Sequence, residues 1–338
     1  MVINLKDKSI SNESKTFVIG EIGLNHDGSL SECKKLIDCA KKSGFDAVKL
    51  QIADPNESYH PNTKSFTFFK KYSLKDKDIK NVVSYAKKKN IIIFATFGDI
   101  KSLRLQDKFN FPLIKISSGL ITNLPLIKRI ARKKKPIILS TGMSRIDDIV
   151  QAVKVIKKNN RKGLILLACT SLYPCEDKYI NLLKIRSLRK RFNLTVGYSD
   201  HSTDNFSSVA SVIMGAKVIE KHITLKKKNY GDHRFAADKV EMRQMIKDIR
   251  RAEIIKGSDR IAPNKKEIKL KDQIMRKIVT KKKILKGELF SLNNLTLMRH
   301  KKKSNNILFA KDFDKILGKR NKSEINKFQI LTRKNIKL

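Results

Sequence analysis

Short runs of apolar, β-branched residues alternate along the first 260 residues with longer stretches in which apolar residues recur at helical spacing. The longer stretches, for example 30–42, 147–158 and 240–256, predict amphipathic helices. The short runs predict eight buried strands, at residues 17–20, 47–51, 91–96, 113–117, 137–140, 164–169, 194–197 and 218–222. Because strands that alternate with helices form parallel sheets, and because eight such repeats close a sheet, the pattern predicts an α/β fold, the (βα)8 TIM barrel.

The pattern changes after Gly257, and we expect three regions. Residues 1–258 would form the barrel, and the lysine-rich stretch 259–271 reads as a linker. Residues 272–338 would form a small β-rich domain, with strand-like pieces at 278–280, 295–297, 316–318 and 329–331. Such a domain is too small to hold much chemistry alone.

The composition is that of a folded chain with an unusual charge. The chain has 338 residues, of which 40% are hydrophobic, and a net charge of +43. Of its 75 basic residues 58 are lysines, spread along the whole chain, whereas a nucleic-acid surface concentrates basic residues and uses arginine for bidentate contacts. We therefore interpret the charge as a solvated lysine surface, of the kind that an AT-rich genome produces, and expect no nucleic-acid partner.

No segment predicts a membrane span or a secretory signal. A span needs an apolar run of about 18 residues, and the run at 163–169 is far shorter. The first 15 residues lack the apolar core of a signal peptide, so we expect a cytoplasmic protein without a membrane partner.

The four cysteines lack the spacing of a zinc site or a disulfide framework and are expected to be free thiols: Cys33, Cys39, Cys169 and Cys175.

Two lysines interrupt predicted buried strands. Lys49 and Lys115 stand within the apolar runs 47–50 and 113–116. A buried lysine is costly unless it meets an anion, and active sites of parallel barrels lie at the carboxyl ends of the strands. With the hydroxyl groups that follow several strands, these lysines predict a phosphate or carboxylate site. Structural lysines that reach solvent, and serines and threonines that merely cap helices, remain the alternatives.

Of the six histidines, His201 follows the seventh predicted strand and His222 ends the eighth. Two neutral imidazoles at one rim would make half of a divalent-metal site, with water or substrate oxygen in the other positions. The alternative is that these histidines have a structural role, as capping or packing residues. Glu21 and Glu220 on the same rim are candidates for proton transfer, and a salt bridge to one of the lysines is the alternative for each.

Several ordered motifs resemble the sialic acid synthase family, the N-acetylneuraminate synthases and their legionaminate and pseudaminate relatives. The motifs stand at residues 20–28, 46–51, 115–119, 139–143, 169–174, 197–202 and 219–222, and with the tail the resemblance extends over nearly the whole chain. The region around 284–288 and 294–296 resembles the SAF (antifreeze-like) domain that follows the barrel in this family.

The resemblance implies a barrel enzyme that condenses phosphoenolpyruvate with an N-acylated amino sugar, such as N-acetylmannosamine, to a nine-carbon α-keto acid and phosphate. His201 and His222 would hold Mn²⁺ or Mg²⁺. The implied catalytic residues are Glu21, Lys49, Lys115, Glu220 and Asp232. The implied substrate-binding residues are Gln51, Thr96, Ser118, Ser140, Ser171, Tyr173, Ser199 and Arg299, of which Arg299 would reach the site of the partner subunit in a homodimer with exchanged SAF domains.

Two other functions remain open at this point. The same barrel could be a metal-dependent aldolase or another phosphosugar enzyme that never uses phosphoenolpyruvate. Lys49 and Lys115 distinguish the two hypotheses, because an aldolase that uses a Schiff base would be trapped there by borohydride with its substrate. A protein of another class, a basic binding protein that retains an inactive barrel, would bind DNA in a salt-sensitive manner without catalysis.

Overall fold

The computed structural model describes residues 2–301 and 306–336, without the side chain of residue 272. The chain divides between Gly257 and Ser258 into two compact units. Among the helices of these described ranges, none is both long and apolar enough to cross a membrane.

The first unit is a closed barrel of eight parallel strands, which confirms the predicted fold. A short antiparallel hairpin, β1 (Ile3–Leu5) and β2 (Lys8–Ile10), precedes it and was not predicted from the sequence. The barrel strands are β3 (Phe17–Gly23), β4 (Ala47–Ile52), β5 (Ile92–Phe97), β6 (Ile114–Ile116), β7 (Ile137–Ser140), β8 (Leu164–Cys169), β9 (Thr195–Asp200) and β10 (Val218–His222). Around the barrel they follow the order β10-β3-β4-β5-β6-β7-β8-β9.

Helices connect the strands on the outside of the barrel. They are α1 (Leu30–Ser43), α2 (Pro55–Ser58), α3 (Lys64–Tyr72), α4 (Asp76–Lys88), α5 (Arg104–Phe109), α6 (Leu124–Arg132), α7 (Ile146–Asn159), α8 (Lys184–Phe192), α9 (Phe206–Ile213) and α10 (Lys239–Lys256). Local chemistry sets their ends. In α1, for instance, the Ser29 side chain accepts a hydrogen bond from the Glu32 amide, and Gly44 ends the helix at φ 93°.

The barrel strands are buried on both faces, as expected of a parallel sheet with helices around it. Apolar side chains fill most of these positions, whereas buried polar side chains concentrate at the carboxyl ends of the strands. At β3 the pairing with β4 shifts between Glu21 and Gly23, which is a β-bulge. Bulges commonly redirect side chains beside active sites. The polar groups of the first unit are therefore gathered at the rim where barrel enzymes hold their substrates.

The second unit contains α11 (Lys265–Ile274), β11 (Lys277–Thr280), β12 (Leu295–Met298) and α12 (Phe313–Ile316). It has its own apolar core, which includes Ile278, Phe290 and Leu331. The antiparallel pair β11–β12 matches two of the expected strands. Two expectations differ from the structure. Much of the expected linker is helical, because Asn264 and Glu267 form a capping box that starts α11, and part of the expected strand at 316–318 belongs to α12.

Candidate active site

The register of the barrel brings predicted site residues together on neighbouring strands. His222 of β10 pairs with Glu21 of β3, which pairs with Lys49 of β4. Two residues further along β4, Gln51 pairs with Thr96 of β5. Thr96 in turn pairs with Lys115 of β6. Paired residues of parallel strands point to the same face, so these side chains share one end of the barrel interior.

Lys49 lies at the centre of a buried charge network. Its ammonium forms an ion pair with the Glu21 carboxylate, lies 3.7 Å from Glu220 Oε2 and donates a 3.1 Å hydrogen bond to Thr96 Oγ1. Burial would lower the pKa of Lys49, but the two carboxylates outweigh it and raise the pKa. The lysine is only 2% exposed, so the interpretation as a structural lysine that reaches solvent is wrong. Glu21 also accepts a 2.7 Å hydrogen bond from the Gly23 amide at the bulge.

Lys115 is buried to the same degree but is less well paired. Its Nζ lies 3.4 Å from Glu220 Oε1, which also accepts a 3.0 Å hydrogen bond from Ser199. Burial lowers the pKa of Lys115 despite this carboxylate. Glu220 is therefore shared between two ammonium groups. Burial would raise its pKa, but Lys115 and Lys49 lower the pKa to about 2, so Glu220 is ionised at neutral pH.

Hydroxyl groups line the cavity near Lys115. Ser118 Oγ accepts a 3.0 Å hydrogen bond from the Gly142 amide. A methyl group on Gly142 would lie 2.3 Å from Ser171 Oγ and 2.8 Å from Ser118 Oγ, so a larger residue here would displace these two hydroxyls. Ser140 Oγ is buried and has no hydrogen-bond partner. A buried hydroxyl without a partner is costly and points to a ligand that supplies one.

The two imidazoles converge as predicted from the strand ends. Their ring centroids lie 5.6 Å apart, and the ring of Phe235 packs 5.2 Å from His222 and 6.0 Å from His201. His201 Nδ1 lies 2.8 Å from the Thr170 carbonyl oxygen. Because a carbonyl only accepts, Nδ1 carries a proton. Burial would lower the pKa of His201, but the contacts with Cys169 and Thr170 raise the pKa, so Nε2 can bind a metal only once it has lost its own proton.

His222 presents an unsatisfied nitrogen. Its Nδ1 is buried without a hydrogen-bond partner, although the Asp232 carboxylate lies 3.3 Å away. Burial lowers the pKa of His222, which favours the neutral ring that a metal needs. Within residues 2–301 and 306–336, no three His, Cys, Asp or Glu side chains are arranged to hold a metal ion. The two imidazoles fit a divalent metal as a half-site only.

A cavity of about 210 Å³ collects most of the predicted residues. It is lined by Glu21, Lys49, Gln51, Lys115, Ser118, Ser140, Tyr173, Ser199, His201, Glu220, His222 and Asp232. Thr96 contacts the ammonium of Lys49 through its hydroxyl. The hydroxyl of Ser171 lies 3.9 Å from the Sγ atom of Cys169. Arg299 belongs to the second unit.

Cys169 was not predicted to belong to the site. This cysteine lines the cavity, with Sγ 3.9 Å from His201 Nδ1. Burial would raise its pKa, but the contact with His201 lowers the pKa to about 7. Its position at the carboxyl end of β8 was the available signal. All four cysteines are free thiols, as expected.

These features define the protein as a barrel with two buried lysines, their two glutamate partners and two converging histidines at the carboxyl ends of its strands. Residues 36–260 match the NeuB family, and the chain belongs to that family. It is 37% identical to N,N'-diacetyllegionaminic acid synthase of Campylobacter jejuni, over 90% of this chain and 95% of that protein. Pseudaminic acid synthase of C. jejuni is 31% identical, over 94% of this chain and 95% of that protein.

A solved structure extends the similarity to three dimensions. The N-acetylneuraminic acid synthetase of Leptospira borgpetersenii, in complex with citrate, superposes with a TM-score of 0.76 at 30% identity. The alignment covers 81% of this chain and 97% of that chain. The relatives are thus synthases of three different acidic sugars.

Proposed function

We propose that the protein condenses phosphoenolpyruvate with the open-chain aldehyde of an N-acylated amino sugar, forming a nine-carbon α-keto acid and releasing phosphate. The observation that carries the proposal is one cavity that holds two buried lysines, an unpaired serine hydroxyl and two converging imidazoles. The names of the relatives support the reaction class. N-acetylmannosamine or a related hexosamine is the proposed acceptor.

Phosphoenolpyruvate would occupy the side of the cavity formed by the lysines and serines. Lys115 has one carboxylate at 3.4 Å, so its charge is incompletely compensated. Together with the hydroxyls of Ser118, Ser140 and Ser199 it would bind the phosphate. Lys49 would face the carboxylate of the substrate, held in place by Glu21 and Thr96. Fixed donors of this kind stabilise the negative charge that moves onto phosphate as it leaves.

The aldehyde would lie on the side of the two histidines. A divalent cation held by His201 and His222 would polarise the aldehyde oxygen and make its carbon electrophilic. Gln51, Tyr173 and Asp232 line this side and would contact the sugar hydroxyls. The His222 Nδ1 that lacks a hydrogen-bond partner supports a ligand at this place.

Carbon–carbon bond formation needs a water molecule and a proton acceptor. The enol carbon attacks the aldehyde carbon, and water adds to the neighbouring carbon that carries the phosphate. One water proton passes to a carboxylate and ultimately to the new alkoxide, which leaves a hydroxyl and the phosphate on the same carbon. The C–O bond to phosphate then breaks as the hydroxyl oxygen becomes the keto oxygen, and the hydroxyl proton leaves with the phosphate. Glu21 and Glu220 are the candidates for orienting this water, and Glu220 Oε2 is buried without a hydrogen-bond partner.

The test is phosphate release from a panel of substrates. We expect purified protein with Mn²⁺, phosphoenolpyruvate and a set of N-acyl hexosamines to release phosphate with at least one sugar, and mass analysis to detect the corresponding nine-carbon keto acid. Each sugar without phosphoenolpyruvate is the control. No phosphate release with any sugar would refute the proposed function.

One observation favours the aldolase alternative. Burial lowers the pKa of Lys115, and a lysine with a lowered pKa is the kind that forms a Schiff base. Borohydride in the presence of substrate would trap such an adduct on Lys115. For a synthase that binds phosphate through this ammonium we expect no covalent adduct in the same mass analysis.

We also propose that the second unit is an SAF domain and that Arg299 acts in the partner's site of a homodimer. We expect the variants R299A and H222A each to have little activity. If Arg299 completes the site of the partner subunit, the two variants should complement each other when they are mixed in equal amounts and exchange subunits. Half of the dimers then contain one subunit of each variant and have one intact site out of two, so the mixture should regain about a quarter of the wild-type activity. A mixture that stays as inactive as its components would contradict the exchange.

A further inference from the structure

The loop between β10 and α10, residues 223–238, carries Asp232 into the cavity. It contains a short 3₁₀ turn at Gly231–Arg234. Within this turn Asp232 places its carboxylate 3.3 Å from His222 Nδ1, whereas the next residue, His233, is buried and makes its contacts outside the cavity. The position of Asp232 therefore depends on what holds this loop.

Asp27, in the loop after β3, holds the β10–α10 loop at three points. Its Oδ2 forms an ion pair with Lys228 and accepts a 3.2 Å hydrogen bond from the Tyr230 hydroxyl. Its Oδ1 lies 3.2 Å from His233 Nε2. All three partners are more than 200 residues away in sequence, so these contacts connect two loops of adjacent strands.

The partners of Asp27 are themselves fixed. His233 Nδ1 lies 2.7 Å from Thr224 Oγ1, at the start of the β10–α10 loop. The neighbouring Asn25 donates a 3.0 Å hydrogen bond to the Ile223 carbonyl. The loop is thus anchored at its beginning and in its middle by the segment after β3. Asp27 itself does not line the cavity.

We infer that Asp27 is a positioning residue that holds the β10–α10 loop so that the Asp232 carboxylate faces His222 and the sugar. This inference rests on the proposed function, because it assigns Asp232 to the sugar side of that site. Asp27 touches neither substrate nor the reacting atoms, and its effect is expected on the sugar and not on phosphoenolpyruvate.

The matched control is Asp38 on α1. It also accepts a hydrogen bond from a tyrosine, Tyr85 at 2.7 Å, and pairs with a lysine, Lys89 at 3.0 Å. It lines no part of the cavity. The variants D27A and D38A therefore both remove a tyrosine hydrogen bond and a lysine ion pair, whereas only D27A also removes the contact with His233, which connects Asp27 to the turn that carries Asp232.

The first measurement is cleavage by trypsin under native conditions, which does not depend on activity. The loop contains three successive lysines, Lys226, Lys227 and Lys228. Since local opening controls such cleavage, we expect D27A to be cut here about ten times faster than the wild type, and D38A at the wild-type rate. Equal rates for D27A and the wild type would overturn the inference even if no sugar is turned over.

The second measurement is the kinetics of phosphate release. We expect D27A to raise the KM for the sugar about tenfold and to change the KM for phosphoenolpyruvate less than about twofold. In the background of D232N the effect of D27A should largely disappear, because two residues that act through one another are not additive. If the wild type is active, additive effects of D27A and D232N, or an unchanged KM of D27A for the sugar, would overturn this inference but not the proposed function. An inactive wild type would overturn the proposed function.

Discussion

The variant H222A is expected to lose more than about a hundredfold of its kcat/KM while it keeps its fold. Substitutions that only disturb the orientation of a metal ligand already cost 10- to 100-fold, and under the proposed function this variant removes the ligand itself. The fold should survive because His222 Nδ1 has no hydrogen-bond partner, so the substitution leaves no new unsatisfied group behind on that side. The substitution loses the packing against Phe235 and His201 and the 3.3 Å contact with the Asp232 carboxylate, which is partly exposed and can be hydrated instead.

Three measurements separate these effects for H222A. Titration calorimetry with Mn²⁺ should show weakened binding, phosphate release should fall, and the far-UV circular dichroism spectrum should stay unchanged. His60, which is exposed, supplies the matched control H60A, and this variant should behave as the wild type. An H222A protein that binds Mn²⁺ and turns over normally would show that the metal assignment is wrong.

The variant K221M is expected to destabilise the protein by about 3 to 5 kcal/mol, the range for breaking one side of a buried ion pair. Lys221 and Asp200 are neighbours in the pairing of β10 with β9, and their charged atoms lie 3.1 Å apart. Both side chains are at most 1% exposed. Lys221 also donates to the carbonyl oxygens of Ser202 and Asp204, at 2.6 and 2.7 Å.

The destabilisation by K221M is measured as the free energy of unfolding in urea. The double variant K221M/D200N should recover part of the loss, because it removes the carboxylate charge that K221M leaves uncompensated. Since Asp200 and Lys221 directly precede and follow residues of the site, namely His201 and Glu220, we also expect reduced activity at temperatures where K221M is still folded. A loss below about 1 kcal/mol would contradict this role for the pair.

Hydrophobic periodicity was sufficient to predict the barrel. The eight predicted strands agree with the observed ones to within three residues at each end, because each strand is a short apolar run that both faces of the barrel bury. The hairpin at the N-terminus was missed, since each of its strands has only three residues. The helix α11 was missed because its lysine-rich sequence has the composition of a linker, and only the cap at Asn264 indicates a helix.

The candidate site was predictable in its composition but not in its pairing. The rule that strands end at one rim identified the lysines, the glutamates and the two histidines. The sequence could not tell which anion each lysine meets. Glu21 and Glu220 are the partners of the lysines, and Glu220 is shared by both. The role inferred for Asp27 depends on partners more than 200 residues away, which no local pattern indicates.

The division of the cavity between strands and loops has a consequence for how this family diversifies. Lys49, Lys115 and Glu220 lie on barrel strands and constrain one another, so a change in one of them disturbs the others. Tyr173 and Asp232 lie on connections beyond the strand ends, where backbone and side chains can vary without opening the barrel. Under the proposed function, the residues on the sugar side of the cavity can therefore change without disturbing the charge network that would bind phosphoenolpyruvate.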